Sequence, residues 1–159
     1  MMPRAQSHGG LTLIESLVAA AILAMVVIAV AVPFAAARSN EQADARMTMA
    51  AHLAQEMMEE VLSRPFSDGV GVAGKETGET RATFNCMDDY DGYTEAAGAI
   101  AAADGRLCTD PAAAGLSRVV SAKYTKVQGS PNNSYMRIVV TIKYQNQPLL
   151  SIARLAYSH

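Results

Sequence analysis

From Leu17 to Ala37 the chain reads LVAAAILAMVVIAVAVPFAAA, a run of 21 residues without a charge. As an α-helix it rises about 30 Å, the hydrocarbon thickness of a bilayer. An ordinary secretory signal carries a shorter apolar region, about 7–15 residues, so this run reads as a membrane-spanning segment. Arg4 precedes it and Arg38 ends it, which orients it only weakly. One carboxylate, Glu15, stands at its head. An acid at the centre of a membrane helix costs roughly 2.5–3.5 kcal/mol even on the translocon scale, so Glu15 requires either a partner or a place at the headgroups, to which it can snorkel.

The 159 residues allow one modest domain beyond this segment, and the 50% hydrophobic content is raised by the Ala/Val-rich run. A formal charge of −2 offers no basic surface on which to expect nucleic acid, and no acidic tract suggests disorder. The only two cysteines, Cys86 and Cys108, are in neither a CxxC nor a histidine-paired motif, which disfavours zinc and thiol redox chemistry. In an exported domain their default state is a disulfide, closing a loop of about 20 residues and worth roughly 3 kcal/mol.

Beyond Ala37, Met47, Ala50, Ala54, Met57, Met58 and Val61 recur at helical spacing, with Glu41, Gln42, Gln55, Glu56 and Glu59 on the polar side. The pattern predicts one helix continuing to about Ser63, kinked at Pro33 and stopped by Arg64–Pro65. Its Met/Ala stripe reads as the face that a sheet covers. Residues 67–117, rich in Gly, Ala, Asp and Thr, form a long connection. Period-two alternation over Tyr135–Tyr144 marks a strand, and Arg118–Val127 and Leu149–Tyr157 are less regular strands. GSPNNS and NQP act as turns, giving an antiparallel meander. The expected class is α+β: a long N-terminal helix packed on a C-terminal antiparallel sheet.

Asp88, Asp89 and Asp91 invite a calcium reading, since hard cations gather oxygens. Their spacing is not that of an EF-hand, and a solvated turn is the favoured reading. His8, His52 and His159 are scattered, with no metal triad, hydrolase elbow or phosphate loop. No enzyme and no cofactor are expected.

The stretch Gly10–Val18, GLTLIESLV, resembles the G-F-T-L-I-E signature of type IV prepilins and type II secretion pseudopilins. Leu11 stands where Phe is usual and Gly9 where Lys or Arg is common. The resemblance implies a leader over 1–10, an assembly helix over 11–37 and a periplasmic pilin-like domain over 38–159. It also implies a membrane prepilin peptidase that cuts between Gly10 and Leu11 and methylates Leu11. Glu15 would then pair with the new terminal amine of a neighbouring subunit, neutralising a charge otherwise stranded among packed helices. The implied partners are other pilin or pseudopilin subunits and an inner-membrane assembly platform. The implied location is the inner membrane, in a single pass, and then a pilus or pseudopilus. AHLAQEMMEEVLSRPFSD (51–68) and MDDYDGYTE (87–95) further resemble MshD-like minor pilins of mannose-sensitive haemagglutinin-type pili. The expected function is therefore a minor pilin, with a secretion pseudopilin as the alternative within the class. A membrane-anchored enzyme or sensor is the alternative outside it.

Overall fold

The computed structural model describes residues 12–67, 74–125 and 135–158. Helix α1, Leu13–Leu62, runs through Pro33. Four strands follow: β1 (Thr94–Glu95), β2 (Leu116–Thr125), β3 (Tyr135–Tyr144) and β4 (Gln147–Tyr157). They form one sheet in the order β1-β2-β3-β4, with every neighbouring pair antiparallel. Short 3-10 turns at Asp88–Tyr90 and Pro111–Ala113 punctuate the connection between α1 and β2. The architecture is α+β.

Two compact units divide the chain between Gln42 and Ala43. In the first, every described side chain from Thr12 to Gln42 is exposed, including Leu13 at 81% and Phe34 at 69%. This part of α1 is long and apolar enough to cross a membrane, and in water it would leave a large apolar surface uncovered.

The second unit holds the core. Ala50, Leu53, Ala54, Met57, Met58 and Val61 form the buried stripe of α1. They pack in one cluster with Val120, Ala122, Met136, Ile138, Val140 and Ile142. Burying each large apolar side chain contributes about 1.5–3 kcal/mol. The stripe departs from the expected one at two positions. Met47 is 43% exposed, whereas Leu53, at 3%, takes a central place. Met47 precedes the part of the helix that the sheet covers; instead, Arg46 lies over the Tyr144 ring, 3.9 Å from its centroid.

β3 has the predicted bounds, and β2 begins two residues earlier than expected. The β3–β4 connection is tighter than NQP suggested: Tyr144 pairs with Gln147, leaving Gln145 and Asn146 as a two-residue turn with φ of 50° and 65°. Positive φ at both positions is the primed-turn geometry that matches strand twist. Pro148 therefore lies inside β4. An edge strand tolerates a residue without an N–H, and the register shift beside it pairs Lys143 with Pro148 and Ile142 with Leu150.

Candidate functional site

Helix α1 starts on a motif with its own physical logic. Thr12 immediately precedes it, and the Glu15 backbone N–H donates to Thr12 Oγ1 at 3.4 Å. Ser16 N–H and Oγ both donate to the Thr12 carbonyl, at 3.1 and 3.3 Å. Thr12 is thus the N-cap and Glu15 the third helical residue, the T-x-x-E spacing of a capping box. A carboxylate in the first turn also complements the positive end of the helix dipole. Glu15 therefore suits this position before any partner arrives. Ile14, Val18, Ala19 and Ile22 form an apolar ridge beside it. Gly10 and Leu11, the expected cleavage and methylation positions, lie outside the described residues.

The acidic turn is not solvated. Asp88 and Asp89 are 4% and 1% exposed, and only Asp91 faces solvent. Asp88 Oδ2 accepts from Gly74 N–H at 3.2 Å and Tyr124 O–H at 3.0 Å. Asp89 Oδ2 accepts from the N–H groups of Asn85 and Cys86, at 2.8 and 3.0 Å. Asp91 Oδ1 takes Ser121 Oγ–H and Ala122 N–H, at 3.1 and 3.0 Å. Asp88 and Asp91 thereby tie the connection to β2, and Asp89 closes a turn within it, giving partners to the backbone of a loop that lacks a ladder of its own. Donor atoms of Cys86, Asp88 and Asp89, and of Glu76, Glu79 and Asp89, lie within 4.8 Å of one another. In the first group the oxygens are already engaged by N–H, O–H and S–H donors of the fold.

The expected Cys86–Cys108 disulfide is absent: both thiols are free. Cys86 Sγ donates instead to Asp88 Oδ1 at 2.9 Å and Asp89 Oδ1 at 3.2 Å. Burial, reinforced by these two carboxylates, pushes the Cys86 thiol pKa strongly up, so it is held as a protonated donor and not as a reactive thiolate. Cys108 is fixed elsewhere, its N–H donating to the Ile100 carbonyl at 2.8 Å beside the Ala101–Leu107 bridge.

The most elaborate polar site escaped the sequence reading. Arg118, on β2, is fully buried. Its Nε donates to Glu95 Oε2 at 2.6 Å, Nη1 to the Leu53 carbonyl of α1 at 3.0 Å, and Nη2 to the Ala101 carbonyl at 2.9 Å. Arg81 joins the same group, donating to Glu95 Oε1 at 2.9 Å and the Ala101 carbonyl at 2.8 Å, and pairing with Glu60. Tyr90 O–H donates to Glu60 Oε1 at 2.9 Å. Burial raises the Glu60 pKa, but the hydrogen bonds from Arg81 and Tyr90 and the charges of Arg81 and Arg118 outweigh it, leaving a net lowering. Burial first, and Glu60 with it, pushes Tyr90 up to about 12. One signal was available: Arg118 shares its inward parity with Leu116, Val120 and Ala122, and an arginine at a core position demands partners.

The structure therefore presents three polar features, an N-capped apolar helix start, an acidic turn whose carboxylates are engaged within the fold, and a buried ionic clasp, and it brings together no nucleophile, base and oxyanion donor among the described residues. No family model, curated protein or solved structure matches the chain.

Proposed function

We propose that this chain is a minor pilin, a structural subunit cleaved between Gly10 and Leu11 and assembled through its N-terminal helix into a type IV pilus or a related pseudopilus. The observation that carries the reading is the junction at the helix start: Thr12 and Glu15 in capping geometry, directly after Gly10–Leu11 in the sequence and directly before the exposed apolar part of α1. A simple anchor can use this carboxylate to cap its helix, but it has no use for one as a counter-charge. A subunit that packs its helix among others does, because cleavage creates a cationic amine at Leu11 that must be neutralised away from water. A sheet-covered helical half suits the exported domain of such a subunit. Before assembly the protein spans the inner membrane once, with the sheet in the periplasm.

The test is the mature protein in sheared filaments. Mass spectrometry should place its N-terminus at Leu11, and Gly10→Val should remain at precursor mass, since a β-carbon obstructs close approach of the backbone to a peptidase. Glu15→Ala should be cleaved and folded but depleted from filaments, the stranded amine costing roughly 3–5 kcal/mol if fully buried. Wild-type incorporation of Glu15→Ala, or a mature terminus elsewhere, would refute the proposal.

A further inference from the structure

The charges of this chain are segregated in a way that its net value conceals. All fifteen acids and seven of the Lys and Arg residues precede Pro111, whereas residues 111–159 carry six Lys or Arg and no acid. Strands β2, β3 and β4 then sort the cations by face. Arg118 points to the core, and Arg154, opposite Ile138, lies on the same side. Lys123, Arg137 and Lys143 share the opposite face of the sheet.

On that face Lys123 is directly opposite Arg137, and both are exposed. Like charges facing each other across strands are destabilising. The ion pairs among the described residues involve neither side chain. The next row sets Tyr135 opposite Tyr157, with ring centroids 6.5 Å apart and planes tilted by 38°. Tyr157 is 55% exposed, and Leu155, opposite Arg137, is 53% exposed. Rows on one face of a strand are about 7 Å apart, so Lys123 and Arg137 lie within one nucleotide's reach of the aromatic rings, and Lys143, six residues along β3 from Arg137, extends the basic face by about 20 Å.

We infer that this sheet face binds single-stranded nucleic acid, with phosphates at Lys123, Arg137 and Lys143 and unpaired bases against Tyr135 and Tyr157. A polyanion offsets the repulsion that the opposed cations carry. The adjoining rings select an anion with flat apolar faces, and base stacking on aromatic side chains is tolerant of sequence. A duplex, with its bases stacked inside, offers the rings nothing. An antiparallel sheet presenting aromatics to splayed bases is an established physical solution for single strands. This inference does not require that the chain assemble into a filament.

The test uses the full chain in a neutral detergent and a fluorescein-labelled oligothymidylate of about fifteen nucleotides, within the site sizes of such surfaces. Fluorescence anisotropy should show binding that weakens with salt. Each cation contributes about 0.7 to the logarithmic slope, so Lys123→Gln with Arg137→Gln should lower it by about 1.4. Tyr135→Leu should weaken binding about five- to a hundredfold, yet leave binding of an abasic strand of equal length unchanged. Arg154→Gln, on the core-facing side of β4, should bind as wild type. Circular dichroism establishes that each variant is folded, and the single variants Lys123→Gln and Arg137→Gln, each lowering the slope by about 0.7, replace the double one if it is not. No binding by the wild-type chain would overturn the inference. So would equal affinity for the abasic strand or for dextran sulfate, or a loss in Arg154→Gln matching that of the double variant.

Discussion

Arg118 shows how one residue can organise a small domain. Its guanidinium joins β2 to α1 through the Leu53 carbonyl and to the connection through Glu95 and Ala101, so three segments distant in sequence meet at one planar fork. Arginine suits this place because its donors diverge in fixed directions and its charge is permanent. Arg118→Met would leave Glu95 buried with Arg81 as its remaining cation, and should cost about 3 kcal/mol in the free energy of urea unfolding. Adding Glu95→Gln in the same background should recover part of that loss by removing the stranded charge. Simple additivity of the two changes would mean that the residues do not act as a pair.

At the scale of elements, the junction from the 3-10 turn Pro111–Ala113 into β2 depends on Gly115. Its φ is +78°, and a Cβ there would meet Tyr144 Cε2 at 3.0 Å, against the ring on which Arg46 rests. Gly115→Ala combines backbone strain with this contact and should destabilise by about 1–3 kcal/mol. Gly105 has a comparable φ of +83° but nothing within 4 Å of a Cβ, so Gly105→Ala should cost less. Comparing the two denaturation midpoints isolates the contact; equal losses would show that Tyr144 moves aside freely. The same hairpin explains the difference at β4. Pro148 and NQP look like a turn in one dimension, but a two-residue primed turn at Gln145–Asn146 leaves Pro148 in an edge strand, where its missing donor is tolerated.

For the whole molecule the clasp contributes to the dependence of stability on pH, together with the buried Cys86 thiol. The lowered Glu60 pKa means that its contribution is present above its ordinary value of 4.5 and is lost as pH falls through the folded value. Tyr90 acts with the opposite sign: its contribution is complete below the ordinary value of 10.0 and is lost as pH rises toward about 12. Unfolding free energy of the sheet-bearing unit should therefore fall as pH drops below 4.5 and again as it rises past 9.0, where the raised Cys86, Tyr90, Tyr93 and Tyr124 groups all contribute, and Tyr90→Phe should reduce the part of the alkaline fall between pH 10 and 12. An unchanged alkaline limb in that variant would assign it to other groups. What the sequence by itself determined is the content of local pattern: a bilayer-length apolar run, an amphipathic continuation ended before Pro65, and a period-two β3 whose bounds match the structure. Helical and strand periodicities record one buried face each, so they survive in one dimension. The T-x-x-E spacing of Thr12 and Glu15 is local in the same sense. Only the tertiary structure decided that Leu53 and not Met47 completes the core, that Asp88 and Asp89 are buried acceptors, and that Cys86 bonds to them in place of Cys108. It alone decided that Arg118, Arg81, Glu60 and Glu95 form one network. The reason is physical: desolvation makes a buried polar group demand partners, but which partners reach it depends on the three-dimensional approach of segments that no local spacing encodes.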